Sequence, residues 1–359
     1  MPSTDNALDI HPEACLHSLF KDYKKHPCLD SCPQNAIELR PLNINMDLCD
    51  GCGICASVCP ADALSIKPAV SKNLIKKVSP KKEKKLTIHC SIVKGGSMEV
   101  PCLGMLDDRL LIGLMAQRGG DLELISGACD GCEKKPGGEI ALQKLEGANN
   151  VMSLFGRKER AFIVPHKQLK NEAPKGYTRR GLFTSLGSGV SGFISNIAEV
   201  EDVEKWQRGT TTIKRKHLLE LIESLGDAAV DAAAEGALPF HGKEISPLCD
   251  GCGGLWHCAT FCPTGALSLS DKEKRNEVAI LFEAGRCIDC KICEMVCNKE
   301  AIRRIPVTAE QLAHLSGKES LVSLEVGRCV ECGSGTRTIE EKLCTDCAQR
   351  QRKMGWDIR

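Results

Sequence analysis

Aromatic side chains are scarce in this chain of 359 residues: 3 Trp, 2 Tyr and 8 Phe, 4% in all. Net charge is nearly absent too. Lys and Arg total 48 against 47 Asp and Glu, which leaves no global field to steer the chain to nucleic acid or to a membrane surface. Long apolar runs are missing, and the stretch Leu110–Ala116 is far too short to cross a bilayer. No Gly-x-Gly-x-x-Gly follows a strand-like segment, and no nucleophile–base pair stands out. The N-terminus, MPSTDNALDIHPEAC, is polar and acidic and does not read as a secretory leader. The expectation is a cytoplasmic protein of two to four domains, with no membrane span, no nucleic-acid partner and no small-molecule substrate of its own.

Cysteine is what the chain has instead. Its 23 cysteines fall into four groups with metal-ligand spacing, and none is left over. A disulfide framework belongs to short secreted chains, so the thiols are expected to be reduced and metal-bound. With 33 Gly beside the cysteines, the composition suits small modules in which inorganic cofactors replace much of the core, so that folding and metal loading are coupled.

The texture changes along the chain. Residues 10–68 form a first cysteine-rich module. A linker, 69–85, carries seven lysines and reads as a solvated spacer. Residues 86–165 alternate strand-like and helix-like pieces: Leu86–His89 and Asp121–Ser126 as strands, Leu106–Arg118 and the segment opening at Glu139–Leu145 as helices. That order implies parallel strands and a right-handed crossover. Residues 170–245 lack cysteine and show two helical stripes, Phe183/Leu186/Val190/Phe193/Ile197 and Leu218/Leu221/Ile222/Leu225. Thr178-Arg-Arg-Gly-Leu-Phe183 has the look of a twin-arginine signal, but it lies mid-chain and reads as a helix start. A second cysteine-rich module covers 246–305, and a basic tail covers 326–359.

In the second module the run Cys249, Cys252, Cys258, Cys262-Pro263 is followed by Cys287, Cys290, Cys293, Cys297. It resembles bacterial-type two-[4Fe–4S] ferredoxins, in which the fourth cysteine of each run reaches across to the other cluster. That resemblance implies one cluster on Cys249, Cys252, Cys258 and Cys297, and another on Cys262, Cys287, Cys290 and Cys293. Two departures stand out: five residues separate Cys252 from Cys258, and Asn298 replaces the second proline. The longer loop places Trp256 and His257 beside one cluster; Cys258 is read as the ligand, with a swap to His257 the alternative. The first module resembles the same family in degenerate form. Cys49-x2-Cys52-x2-Cys55-x3-Cys59-Pro60 is complete, Cys28-x3-Cys32-Pro33 supplies the other half, and the resemblance joins Cys32 to Cys49, Cys52 and Cys55. The remaining site has Cys15, Cys28 and Cys59. Its fourth ligand is open among His26, His17, His11 and an aspartate, and a three-iron cluster or an empty site remain alternatives.

In the central segment Cys90-x11-Cys102 and Cys129-x2-Cys132 each begin at the carboxyl end of an expected parallel strand, where adjacent strand ends share one crevice. Cys102-Leu-Gly104, Gly119-Gly-Asp121 and the late pair resemble thioredoxin-like [2Fe–2S] ferredoxins and the delta-type iron–sulfur subunit of methyl-viologen-reducing hydrogenase. The resemblance implies a [2Fe–2S] relay; structural zinc and a redox-active dithiol are the competing readings. In the tail, Cys329-x2-Cys332-x11-Cys344-x2-Cys347 suits tetrahedral S4 coordination, with zinc the usual occupant and rubredoxin-like iron the alternative. Arg337, Lys342, Arg350, Arg352 and Lys353 surround it.

The expected fold is α+β and multidomain: two ferredoxin-like iron–sulfur modules flank a small α/β domain, with a helical linker and a zinc-ribbon-like tail. Three to four [4Fe–4S] clusters, a [2Fe–2S] cluster and one Zn2+ are the expected cofactors. The expected function is single-electron transfer between a redox enzyme, such as a formate dehydrogenase, hydrogenase or flavoprotein, and an acceptor, as a carrier subunit rather than an enzyme alone. The rivals are a redox-sensing regulator that binds through its tail and a disulfide reductase using Cys129 and Cys132.

Overall fold

A computed structural model describes residues 8–67, 86–93, 97–166, 207–226, 237–270, 277–333, 335–336, 338–339 and 342–353. The lysine-rich linker, the stripe Phe183–Ile197, the paired Arg179 and Arg180, and Arg337 lie outside the described residues. The chain divides into two compact units, 1–206 with 216–239, and 207–215 with 240–359. The fold is mixed α/β.

The first unit opens with a cysteine module whose strands pair first with last and second with third. Strand β1 (Leu8–Ile10) lies antiparallel to β4 (Leu64–Ile66), and β2 (Ile37–Leu39) lies antiparallel to β3 (Leu42–Ile44). Each strand is three residues long. Strands this short are marginal alone.

The same unit continues into a four-stranded parallel sheet. Its strands are β5 (Leu86–Cys90), β6 (Met98–Val100), β7 (Leu122–Ser126) and β8 (Ala161–Pro165), in the order β6-β5-β7-β8. The expected strands are β5 and β7; β6 and β8 flank them. Helix α1 (Asp108–Arg118) starts two residues later than its sequence pattern because Asp107 is its cap: Asp107 Oδ1 accepts the Leu110 N–H at 2.9 Å. Gly119, at φ +65°, ends it in the left-handed conformation. Helix α2 (Pro136–Leu154) begins three residues before the expected segment. Pro136 fits a first turn, where no amide partner is needed. Leu110, Leu111, Ile112, Leu114 and Met115 of α1 and Ala148, Val151 and Met152 of α2 are fully buried, and these helices with Leu122 and Leu124 make the core of this domain.

The helix Ile213–Leu225 buries Leu218, Ile222 and Leu225, the expected stripe less Leu221. In the second unit Gly242–Ile245 pairs antiparallel with Ile302–Ile305, and Leu267–Leu269 with Glu277–Phe282. This is again first with last and second with third, the same plan as the first module. Glu319–Glu325 adds a third strand on Glu277–Phe282. The tail adds two short antiparallel pairs, Gly327–Arg328 with Gly335–Thr336 and Thr338–Ile339 with Leu343–Cys344, then the helix Thr345–Lys353. No helix among the described residues is long and apolar enough to cross a membrane.

Candidate iron–sulfur and metal centres

Two pockets gather four sulfurs each. Cys32, Cys49, Cys52 and Cys55 line one, with Leu8, Ile37 and Ile44 from three strands as its apolar wall. Cys249, Cys252, Cys258 and Cys297 line the other, walled by Ile245, Ile280 and Ile302. In both, the three closely spaced cysteines stand on one half of the module and the fourth comes from the other half. Four thiols converging on a dry wall fit an iron–sulfur cube, since the cube's iron neutralises thiolates that apolar surroundings otherwise disfavour. Burial pushes the Cys55 and Cys258 thiols up to about 12, and the crowding of neighbouring thiols adds to it.

The late cysteine of every half-motif accepts a backbone amide. Ala36 N–H donates to Cys32 Sγ at 3.3 Å and Ala301 N–H to Cys297 Sγ at 3.2 Å. Leu64 N–H donates to Cys59 Sγ at 3.4 Å and Leu267 N–H to Cys262 Sγ at 3.5 Å. Amide donors of this kind stabilise charge on sulfur and help set a cluster's potential. The Cys-Asp-Gly-Cys loops also repeat: Asp50 Oδ1 accepts Cys52 N–H at 3.1 Å, and Asp250 Oδ1 accepts Cys252 N–H at 2.9 Å.

The long loop of the second module closes on itself. Cys252, Gly254 and Trp256 all have positive φ, at +52°, +86° and +48°, and these turns return the chain so that Cys258 reaches the pocket. Buried Trp256 packs on Gly251, where a Cβ would stand 2.6 Å from the indole. His257 lies against Phe261 with ring centroids 5.7 Å apart. Cys262, Cys287, Cys290 and Cys293 form the neighbouring group: burial raises the last three, and each also feels Cys262. Buried Lys243 bonds Glu294 at 2.6 Å and places its ammonium among Cys287 and Cys293, so a cation is built into the wall of that site.

Cys15, Cys28 and Cys59 are buried, and Cys28 lies near both of the others; burial, then Cys59 and Cys15, push the Cys28 thiol up to about 12. Cys15 follows β1 just as Cys249 follows the first strand of the second module. Of the candidate fourth ligands, His11 pairs with Glu13 at 3.6 Å. His17 stacks on His26 at 4.6 Å between centroids. It is buried, its Nε2–H donates to Lys25 O at 2.9 Å, and its Nδ1 has no hydrogen-bond partner among the described residues. That bond fixes the tautomer whose free lone pair is on Nδ1.

The central cysteines stand where three adjacent strands end: Cys90 closes β5, Cys102 follows β6, and Cys129 and Cys132 follow β7. Cys102 and Cys129 each feel both Cys90 and Cys132, and burial holds Cys102 at about 11. The first turn of α2 abuts this group. A Cβ on Gly137 would meet Cys102 Sγ at 2.3 Å, and one on Gly138 would meet Cys129 Sγ at 3.0 Å. Gly104 and Gly137 touch backbone to backbone, a Cβ on Gly104 falling 2.6 Å from Gly137 Cα. The absence of side chains at these glycines is what lets a positive helix end reach the sulfurs.

The tail quartet is gathered far more tightly. The four sulfurs of Cys329, Cys332, Cys344 and Cys347 lie within 4.8 Å of one another, the single such group of three or more ligands among the described residues. Cys332 and Cys344 sulfurs are 3.8 Å apart. A tetrahedral ion with bonds of about 2.3 Å separates its sulfurs by about 3.8 Å, so the set fits one mononuclear ion. Burial disfavours the Cys329 thiolate, but amides of Cys332, Cys344 and Glu331 outweigh it and hold the thiol below its ordinary value. Arg350 Nη2 donates to Cys347 Sγ at 3.4 Å.

Comparison with known proteins matches two stretches. Residues 22–69 match the LdpA Fe-S cluster-binding domain, and residues 248–301 match the 4Fe-4S dicluster domain. The chain is 32% identical over 79 residues to the polyferredoxin protein MvhB of Methanothermobacter marburgensis, covering 20% of this chain and 19% of that protein. It is 43% identical over 56 residues to hydrogenase-4 component A of Escherichia coli, covering 15% and 25%. It is 36% identical over 62 residues to pyruvate synthase subunit PorD of Thermotoga maritima, covering 16% and 56%. The chain thus spans between 19% and 56% of the length of these relatives. It carries iron–sulfur modules of the 4Fe–4S ferredoxin kind.

Proposed function

We propose that the chain is a multi-cluster electron carrier that passes single electrons between a redox enzyme, of the formate dehydrogenase, hydrogenase or flavoprotein class, and an acceptor. The observation that carries this reading is the pair of four-sulfur pockets, each completed by a cysteine from the opposite half of its module. Those quartets hold [4Fe–4S] clusters, as does the group Cys262, Cys287, Cys290 and Cys293. The Cys15, Cys28 and Cys59 group takes a further cluster, for which buried His17 Nδ1, without a hydrogen-bond partner among the described residues, is the fourth ligand we favour. Such clusters supply reversible one-electron storage over a wide range of potentials.

The chain's own residues do the rest. Cysteines hold, amides at Cys32, Cys59, Cys262 and Cys297 stabilise charge on sulfur, and Lys243 favours the electron-rich state of its neighbour. The central quartet is less tightly gathered than the tail quartet, which suits a two-iron cluster better than one zinc ion. The tail takes Zn2+ as a structural clip. Anaerobic titration of the loaded chain with dithionite tests the reading. Uptake of about four or more electrons per chain, one per cluster, and their return to a one-electron acceptor is the expected result. Uptake of one electron or none contradicts it.

A further inference from the structure

We infer that the central quartet (Cys90, Cys102, Cys129, Cys132) and the quartet Cys32, Cys49, Cys52 and Cys55 form one electron-exchanging pair, bridged by Ile54 and by the Lys134–Asp50 ion pair. The inference rests on the electron-carrier reading above and gives the central site its partner within the chain.

Two independent bridges join the sites. The first is apolar. Ile54 is fully buried, lies between Cys52 and Cys55 in sequence, and packs in one cluster with Cys52 and Cys102. A Cβ on Gly137 would lie 2.3 Å from Cys102 Sγ and 3.0 Å from Ile54 Cδ1, so the sulfur and the methyl share one contact point. The second bridge is polar. Lys134 N–H donates to Cys132 Sγ at 3.3 Å, Lys134 Nζ pairs with Asp50 Oδ2 at 3.3 Å, and Asp50 Oδ1 accepts Cys52 N–H at 3.1 Å. The run leads from a ligand of one quartet to a ligand of the other.

The backbones are pinned together around these bridges. Ser57 Oγ–H donates to Gly104 O at 2.6 Å in a buried contact, and a Cβ on Gly53 would meet Met105 Cβ at 3.0 Å. Electron tunnelling weakens steeply with distance and proceeds best through bonds and tight contacts, and this junction supplies both. Lys134 lends its charge to Cys102 of the central quartet and offsets the Asp50 carboxylate that Cys52 feels, which favours an added electron on either side. One electron leaves the group held by the central cysteines and enters that held by Cys32, Cys49, Cys52 and Cys55. The first is oxidised and the second reduced by one, no bond breaks, and no proton is needed.

The test uses the full chain, loaded anaerobically and reduced with dithionite. EPR power saturation of the [2Fe–2S]-type signal should show fast relaxation in the native chain. In Cys55→Ala, which removes the neighbouring cluster, the same signal should saturate at severalfold lower power. Lys134→Met should move the potentials of both groups negative together, which loss of a merely structural contact would not do. Equal saturation in the native chain and Cys55→Ala overturns the pairing and leaves the carrier reading standing. Should Cys55→Ala fail to fold, unmoved potentials in Lys134→Met overturn it instead. Absence of any [2Fe–2S]-type signal from the iron-loaded native chain removes the reading beneath it, and the pairing with it.

Discussion

Gly137→Ala should empty the central site, with about two iron lost per chain and the cubes retained. On helix propensity alone the change is favourable by up to about 1 kcal/mol, since alanine outranks glycine inside a helix. Sterics reverse the sign. The new methyl would stand 2.3 Å from Cys102 Sγ, and that sulfur cannot retreat, because Cys102 is itself buried against Ile54. Either the sulfur leaves the quartet or the first turn of α2 unwinds, and both routes lose the site. Gly131→Ala is the matched control: it lies between Cys129 and Cys132, has nothing within 4 Å of a Cβ, and should keep the full complement. Iron analysis with EPR of the reduced protein reads both variants. Retention of the central signal in Gly137→Ala would mean that α2 does not abut the sulfurs.

Cys297→Ala should remove the cluster of Cys249, Cys252 and Cys258, about four iron per chain, although Cys297 lies closest in sequence to Cys287, Cys290 and Cys293. The pocket geometry makes this assignment, since Cys297 lines the same cavity as the first three. A second variant separates it from uncrossed ligation. Cys287→Ala alone should also cost about four iron, and the double variant about eight, because the two changes strike different clusters. In an uncrossed arrangement both changes would strike one cluster, and the double variant would lose no more iron than either single one.

The cysteine pattern carries the site because its spacing is local: three ligands per run come from one tight loop, and those runs are visible residue by residue. The strands beside them are not. β6, Met98-Glu99-Val100, alternates but is only three residues long and follows Gly95-Gly96, too short to stand out, while β8 is an edge strand with exposed Phe162 and Val164 and shows no such alternation. Helix α1 is legible from its apolar spacing, while its start is set by a side-chain cap that only coordinates display. The first turn of α2 is missed for a different reason. Pro136-Gly137-Gly138 reads as a breaker until Cys102 and Cys129 are seen against it. The junction of Ile54, Asp50 and Lys134 is a tertiary product, since residues about eighty apart in sequence leave no periodic trace. His17 is one of several histidine candidates for the Cys15 site, and burial with an Nδ1 unpartnered among the described residues sets it apart from His11.

Iron, acid-labile sulfide and zinc counted together in anaerobically purified protein test the carrier reading most directly. More than about fourteen iron with matching sulfide and one zinc per chain is the expected result, three cubes giving twelve, the central site two and the Cys15 site the remainder. Zinc in the central site, with fewer than about nine iron per chain, would contradict the account and leave a mainly structural or regulatory protein with a single ferredoxin module.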